Sequence, residues 1–250
     1  MKLLYALNSS KYHFHLLCLS CILFGVRPTQ AQTSTAPMVF NAFDKSVGIQ
    51  NTPLYQGIAF IPIYRTINEN TQYFLTYAFL DGSVKYAGQA YNDQQLKYDV
   101  YEDKVLLKLV SSVGGATMEL IPEWLDEFII NGHRFVHLRP TDTPSLSKYG
   151  FYEVATKGSV LTLYTKHNME RIDQRDEKFV YYEFFPEKST YVLLYNDEYH
   201  IINSKSDLLR LLPEYKKQIR QFTNHNRKLK RDNPDGFYQA LIYHMNGVVR

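Results

Sequence analysis

Gly82 to Val110 reads GSVKYAGQAYNDQQLKYDVYEDKVLLKLV, and this stretch decides the fold class. Apolar and polar residues alternate in three runs, which begin at Val84, Leu96 and Val105. Side chains on a β-strand point to opposite faces with a period of two, so each run predicts a strand with one apolar and one mixed face. We expect an antiparallel meander of three strands, with turns at Asn92-Asp93 and Glu102-Asp103.

The same alternation continues along the chain to residue 203. Turn signals separate the apolar runs, and the main ones are Asp81-Gly82, Asn131-Gly132, Lys157-Gly158 and Asn196-Asp197. We also expect a strand at Tyr73–Leu80 and a short helical turn in the charged stretch His167–Glu177. Residues 51–203 therefore predict a mainly β body of about 10 to 12 strands, arranged as an antiparallel meander or sandwich or as a partly open barrel.

The character of the sequence changes at Asn203. Ser204 and Asp207 have the spacing of a capping box, and the apolar residues after them recur at helical spacing. Pro213 interrupts this helix, and Asn233-Pro234 has the form of an N-cap followed by a proline at the first helical position. We expect residues 204–250 to form a C-terminal helical appendage packed on the β body.

Residues 1–31 have the features of a signal peptide. Lys2 and Lys11 give a positive start, Leu16–Val26 is an apolar run, and Thr29-Gln30-Ala31 fits the small-residue rule before a cleavage site. The apolar run is shorter than the stretch of about 20 residues that spans a bilayer. We expect cleavage near Ala31, export to the periplasm or outer membrane of a Gram-negative bacterium, and a flexible segment at residues 32–50.

Both cysteines of the chain, Cys18 and Cys21, lie in this leader, so the remaining residues have neither disulfide nor thiolate chemistry. Leu19-Ser20-Cys21 also allows a lipoprotein signal in which Cys21 is lipidated. A buried N-terminal strand or helix is a further alternative for the leader.

Charge is segregated along the sequence. Residues 204–250 carry ten basic and four acidic side chains, whereas residues 32–203 carry an excess of acid. The basic segment predicts docking on acidic lipid headgroups or on a partner. The alternative is a solvated, lysine-rich helix face on a segment that packs against the acidic sheet. Nucleic acid is not expected as a partner, because the export signal directs the chain to a compartment that holds little of it.

The sequence contains no nucleotide-binding, metalloprotease, EF-hand or serine-hydrolase motif. His133 and His137, if they share a strand, lie about 13 Å apart, which is too far for one metal ion. The densest acidic cluster is Asp99, Glu102 and Asp103. It would suit a calcium site or a glycosidase pair, but Asp99 on the wetter strand face and the other two in a turn are more simply solvated acids. We therefore predict no catalytic residue, no metal and no cofactor.

Tyrosine is abundant, with 21 residues against a single tryptophan, Trp124. Tyrosines on an exposed sheet face can stack on sugar rings or contact a partner, because the ring supplies apolar area while the hydroxyl stays hydrated. The alternative is cross-strand packing, for which aromatic residues are well suited. The candidate binding residues are Tyr86, Tyr91, Tyr98, Asp99, Tyr101 and Asp103.

Three parts of the chain carry a resemblance to a known group. They are Gly82–Asp103, with its Gly-x-Val-x-Tyr-x-Gly start and its Leu-Lys-Tyr-Asp-Val-Tyr continuation, Gly150–Val154, and Ser206–Leu209. Together they resemble segments of uncharacterised exported β-rich proteins from Bacteroidota-type bacteria. The resemblance implies an envelope location and brings no catalytic residue to this chain.

Three functions remain open from the sequence. Our first expectation is a non-enzymatic exported envelope protein that contacts an envelope protein or a glycan through its surface. The second is a lipocalin-like carrier of a small apolar ligand, which a deep apolar pocket would favour. The third is a glycosidase-type hydrolase, which needs paired carboxylates facing each other in a cleft.

Overall fold

The computed structural model of the chain describes residues 51–111, 114–143 and 146–249. Within these ranges the chain forms eleven β-strands, all paired antiparallel in one open sheet, followed by four α-helices. The predictions of a mainly β body and of a C-terminal helical segment are confirmed. The predicted signal peptide at residues 1–31 and the flexible segment at residues 32–50 lie outside the described residues.

The strands are β1 Ile58–Ala59, β2 Leu80–Tyr86, β3 Gln89–Asp99, β4 Lys104–Ser111, β5 Gly114–Glu119, β6 Leu125–Ile130, β7 His133–Leu138, β8 Gly150–Lys157, β9 Thr162–Arg175, β10 Val180–Tyr195 and β11 Glu198–Ile202. Their order across the sheet is β1-β5-β4-β3-β2-β6-β7-β8-β9-β10-β11. Two meanders, β2 to β5 and β6 to β11, are therefore joined side by side through β2 and β6. The helices are α1 Lys205–Leu211, α2 Lys216–His225, α3 Arg227–Asp232 and α4 Pro234–Asn246.

The hairpin of β2 and β3 turns at a different place from the predicted one. Ala87 and Gly88 have φ of 49° and 79°, the left-handed values of a two-residue type I′ turn. Asn92 and Asp93 lie inside β3 instead, where the register with β2 shifts and Asp93 has φ of 56°. These two residues therefore form a bulge rather than a turn. The turn predicted at Glu102-Asp103 does connect β3 to β4.

Other turn predictions are partly confirmed. Asn131-Gly132 and Asn196-Asp197 connect β6 to β7 and β10 to β11 with left-handed backbone, as predicted. Asp81-Gly82 is not a turn, because both residues pair with β3 inside β2. The helical turn predicted at His167–Glu177 is also wrong, since β9 continues through this stretch to Arg175 and pairs with β10.

The sheet curls around a first core of aromatic rings. Tyr98 on β3, Phe128 on β6, Phe135 on β7 and Phe151 on β8 are each at most 1% exposed. Phe128 and Phe135 stack with their ring centroids 4.7 Å apart, and the Tyr98 ring lies 6.2 Å from that of Phe151. Three strands separate β3 from β8 in the sheet order, so this last contact requires a strongly curved sheet.

The helices form a second core with the last strands of the sheet. Leu163 on β9 and Leu193 on β10 pack with Leu241 and Ile242 of α4, and all four are at most 1% exposed. Pro213 begins a short 3-10 turn that separates α1 from α2, in agreement with the predicted interruption. The predicted helix starts are also present, with a capping box at Ser204 and an N-cap at Asn233.

Residues 60–79, here called the crossover segment, connect distant strands. The Phe60 amide donates to the Thr117 carbonyl of β5 at 3.0 Å, the Ile67 amide to the Tyr182 carbonyl of β10 at 3.2 Å, and the Phe74 amide to the Tyr98 carbonyl of β3 at 2.8 Å. The strand predicted at Tyr73–Leu80 is wrong, since this part of the segment is irregular until β2 begins, apart from one bridge between Tyr73 and Asp99. The segment thus ties three separate strands of the curled sheet together.

Candidate functional site

A pocket of about 780 Å³ lies between the crossover segment and strands β9 and β10. Most of its polar lining is uncharged, and its carboxylate is that of Glu69. Apolar and aromatic side chains from the crossover segment and the two strands complete the wall. The lining residues are Thr66, Asn68, Glu69, Asn70, Thr71, Tyr73, Leu75, Thr76, Tyr77, Met169, Phe184 and Pro186.

One wall of the pocket is a loop fixed to β10 by the carboxylate of Glu183 and by backbone hydrogen bonds. Glu183 accepts hydrogen bonds from the side-chain amides of Asn68 at 2.8 Å and Asn70 at 3.0 Å. The Phe184 amide donates to the Asn70 carbonyl at 3.0 Å. The hydrogen bond from Asn68, followed in size of effect by the one from Asn70, holds the pKa of the Glu183 carboxyl below its usual value. The loop is therefore positioned before any ligand arrives, which lowers the entropy cost of binding.

Two lining residues, Tyr73 and Tyr77, belong to an aromatic group arranged around a buried lysine. Lys97 on β3 places its Nζ 4.4 Å from the ring centroid of Tyr73, 4.2 Å from that of Tyr77 and 4.5 Å from that of Phe79. Such cation–π contacts gain strength when the cation is desolvated, and Lys97 is 7% exposed. Burial lowers the pKa of its ammonium group. The rings of Tyr73 and Tyr77 also meet edge to face at 5.6 Å.

Tyr77 combines a fixed ring with an exposed surface. Its ring contacts Lys97 and Tyr73, yet 60% of the residue is exposed. A tyrosine held in this way offers a flat apolar face at little entropy cost, because its rotamer is already set. Tyr77 therefore contributes a fixed and exposed aromatic ring to the lining of the pocket.

Three of the predicted binding tyrosines lie in the core. Tyr86, Tyr91 and Tyr98 are 0 to 1% exposed, so the expectation of an exposed face is wrong for them and the cross-strand packing alternative describes them. The Tyr86 hydroxyl donates to the Gln56 carbonyl at 3.0 Å. The Tyr98 hydroxyl donates to Asp103 at 2.7 Å. The hydroxyls of Tyr86 and Tyr98 thus hold the fold together, and their hydrogen bonds lower the cost of burying them.

The predicted acidic residues have structural partners. Asp99 is 1% exposed, so its placement on the wetter strand face is wrong, and its carboxylate accepts the Glu102 amide at 2.9 Å. Burial raises the pKa of Asp99 to about 6. Asp103 accepts the Lys166 ammonium at 2.8 Å and the Phe151 amide at 3.3 Å. This salt bridge fixes the β3–β4 turn against β8 and β9.

Tyr101 is a predicted binding residue whose ring contacts the lining of the pocket. Its ring lies 5.1 Å from that of Phe184, which lines the pocket, and 5.9 Å from that of Tyr64. The guanidinium of Arg171 lies 5.7 Å from the Tyr101 ring. None of the six predicted binding residues is itself among the lining residues. The sequence pattern therefore does not locate this pocket, and ligand binding by the six residues stays a prediction.

His133 and His137 lie on β7, as predicted, and have separate partners. His133 Nδ1 is 2.7 Å from a Glu153 oxygen, and His137 Nδ1 is 2.9 Å from the Pro122 carbonyl. Among the residues that the structure describes, no group of three or more histidine, cysteine or acidic side chains is arranged to hold a metal ion.

The basic face predicted for the C-terminal segment is exposed. Lys216, Lys217 and Arg220 of α2 point away from the second core and are open to solvent. Docking of this face on an acidic lipid surface stays a prediction. In the described part of the chain, no helix is both long and apolar enough to cross a membrane.

Comparisons of the chain with protein-family models, with curated proteins and with solved structures gave no match. The resemblance to exported Bacteroidota-type proteins therefore stays a prediction. Function has to be argued from the pocket itself.

Proposed function

We propose that the protein is a non-enzymatic binding protein that holds a neutral glycan in the pocket beside the crossover segment. The observation that carries this proposal is the mostly uncharged polar lining next to the fixed, exposed ring of Tyr77. Threonine hydroxyls and asparagine amides can exchange hydrogen bonds with sugar hydroxyls. The ring of Tyr77 can stack on the C–H face of a sugar.

Binding is a better fit to the lining than hydrolysis. A glycosidase places two carboxyls about 5 to 9 Å apart across the scissile bond. Among the residues that the structure describes, the lining contains one carboxylate, that of Glu69, so a sugar in this pocket would meet no acid and base pair from this part of the chain. Glu183 lies near the pocket but is occupied by the amides of Asn68 and Asn70.

A carrier of an apolar ligand has less support. Such a ligand would lie inside the curled sheet, and this interior is filled by the rings of Tyr98, Phe128, Phe135 and Phe151. The stacking of Phe128 on Phe135 at 4.7 Å leaves no gap between these two rings.

The proposal places this binding protein in the bacterial envelope. Its support is the signal-peptide pattern of residues 1–31. Protein isolated from the envelope of its own bacterium should begin near Gln32, as measured by intact mass and N-terminal sequencing. A chain that begins at a lipidated Cys21 would instead identify a lipoprotein, and an uncut chain would contradict export by this signal.

A glycan array is the first test of the glycan proposal. Calorimetry then measures the affinity for the oligosaccharides that the array selects, and cellohexaose, maltohexaose and chitohexaose are titrated whatever the array shows. Tyr77→Ala should weaken binding by about tenfold or more, as expected for a central aromatic contact. Tyr243→Ala is the matched control, because Tyr243 is also an exposed tyrosine, at 76%, and lies outside this pocket. Failure of every glycan to bind, or equal weakening by both variants, would contradict the proposal.

A further inference from the structure

A second pocket, about 240 Å³ in volume, lies where the crossover segment meets the β3–β4 turn and β5. Three carboxylates line it, from Asp99, Glu102 and Glu119, together with one ammonium group, from Lys104. The formal charge of these four side chains is thus negative. The side chains of Ile61 and Ile63 form an apolar rim, and they are 75% and 69% exposed.

The donors at this pocket already have acceptors. Lys104 Nζ lies 3.2 Å from a Glu119 oxygen. The Tyr64 hydroxyl donates to Glu102, and the Glu102 amide donates to Asp99 at 2.9 Å. Each carboxylate can accept about four hydrogen bonds, so the acceptor capacity here exceeds the donors supplied by the described part of the chain.

A buried amide oxygen independently points to a missing donor. Gln72 lines the same pocket and is 3% exposed, and within residues 51–111, 114–143 and 146–249 its Oε1 has no hydrogen-bond partner. Buried polar atoms are paired in almost all folded proteins, because an unpaired one loses its hydrogen bonds to water without compensation. The same kind of ligand, one rich in N–H donors, would satisfy both the unpaired oxygen of Gln72 and the excess carboxylate oxygens of Glu102 and Glu119.

We propose that this pocket binds a small organic cation through a primary ammonium group. An ammonium group has three N–H donors and no acceptor, which matches the Gln72 oxygen and the carboxylates of Glu102 and Glu119. Its alkyl chain would lie along Ile61 and Ile63. A metal ion fits less well, because the acidic side chains in the described ranges are not arranged as a metal-binding group. The inference concerns a separate pocket and does not depend on glycan binding.

The probe is n-pentylammonium chloride, titrated into the uniformly ¹⁵N-labelled protein at low salt. We expect saturable shifts of the Gln72 side-chain amide resonances, and no such shifts with 1-pentanol, which has the chain without the charge. Glu102→Gln should weaken binding at least fivefold, while its amide oxygen still accepts the Tyr64 hydroxyl. Glu123→Gln, at an exposed acid outside the pocket, should leave the affinity unchanged.

Three results would overturn the proposal. The first is the absence of saturable shifts in the wild-type protein, which needs no variant to fold. The second is equal weakening by Glu102→Gln and Glu123→Gln, since that indicates attraction by net charge alone. The third is saturation of the same resonances by calcium chloride without any response to the ammonium probe, which would identify a metal site.

Discussion

Leu75 has a backbone conformation that leucine rarely adopts. Its φ is 62°, it lines the proposed glycan pocket, and 57% of the residue is exposed. The left-handed region costs a residue with a side chain about 1 to 2 kcal/mol, because Cβ crowds the following carbonyl. Strain of this kind persists only where the surroundings impose it, and it is concentrated at binding sites. Here the crossover segment is held on both sides, at β10 and at β3.

Substitution of Leu75 tests this strain directly. At an ordinary position alanine is more stable than glycine by about 0.5 to 1 kcal/mol. At residue 75 we expect the reverse order, with Leu75→Gly more stable than Leu75→Ala by about 1 kcal/mol, since only glycine adopts this φ without cost. Urea unfolding of the two variants measures the difference. Greater stability of the alanine variant would show that the conformation carries no strain.

The burial of Asp99 makes the stability of the fold depend on pH. Burial raises its pKa in the folded protein to about 6, from its usual value of 3.8. Between about pH 4 and pH 6 the folded state therefore keeps a proton that the unfolded state has released. This group stabilises the fold at low pH, and its contribution is lost as the pH rises through this window.

Asp99→Asn should remove that pH dependence. Asparagine stays neutral and keeps an oxygen that can accept the Glu102 amide. At pH 4 the two proteins should be similar in stability, and by pH 7 the wild type should have lost up to about 3 kcal/mol relative to the variant, at 1.36 kcal/mol per pKa unit. Urea unfolding at a series of pH values gives this difference. A constant difference from pH 4 to pH 7 would show that the Asp99 pKa is not raised.

At the scale of elements, the amide side chain of Asn246 fixes the C-terminal end of α4 to the β8–β9 loop. Asn246 accepts the Leu161 amide at 2.9 Å and donates to the Leu161 carbonyl at 2.9 Å. Gly158, in the same β8–β9 loop, has no room for a side chain, because a Cβ would overlap the Asn246 amide. The end of α4 and the β8–β9 loop therefore pack closely, with Gly158 leaving the space that the Asn246 side chain occupies.

A double-mutant cycle at these two positions measures the fit. Asn246→Ala should cost about 1 to 3 kcal/mol, because it leaves the Leu161 amide without its partner. Gly158→Ala should destabilise the wild type clearly and the Asn246→Ala protein much less, since the overlapping side chain is then gone. We expect a coupling of about 1 kcal/mol or more. Additive effects in urea unfolding would mean that loop and helix do not touch in this way.

The elements also show what the sequence could and could not predict. Asn131-Gly132 and the capping box at Ser204 were predicted because each motif carries its own local geometry. The burial of β3 could not be predicted in this way. Its consecutive residues Leu96, Lys97, Tyr98 and Asp99 are all buried, and period-two alternation cannot describe a strand that is covered on both faces.

The pocket is harder still to predict, because its contacts are long-range. Glu183 and Asn68 are 115 positions apart, and the crossover segment has no periodicity that would reveal its path. The ring cage of Lys97 likewise depends on where an irregular segment lies against β3. The sequence contains the residues of this site, but no local pattern indicates that they lie together in the fold.

At the scale of the whole molecule, a polar junction connects the two cores. Glu153 on β8 lies 2.7 Å from a ring nitrogen of both His133 and His167. The other ring nitrogen of His167 is 3.8 Å from the carboxylate of Asp235 at the start of α4. Phe74 of the crossover segment places its ring 5.2 Å from both histidine rings. Burial alone would raise the pKa of Glu153, but the hydrogen bonds with His167 and His133 lower it below its usual value.

This junction predicts that the two cores unfold together. Trp124 packs against Tyr86 of the first core at 5.9 Å, so its fluorescence reports on that core, while circular dichroism at 222 nm reports on the helices of the second. In urea, both signals should give the same midpoint. Glu153→Gln replaces a charge-assisted interaction by a weaker neutral one and should lower both midpoints by the same amount, equivalent to about 1 to 2 kcal/mol. Separate midpoints in the wild type would mean that the two cores unfold independently. A shift of only one signal in the Glu153→Gln variant would mean that Glu153 stabilises one core and does not connect the two.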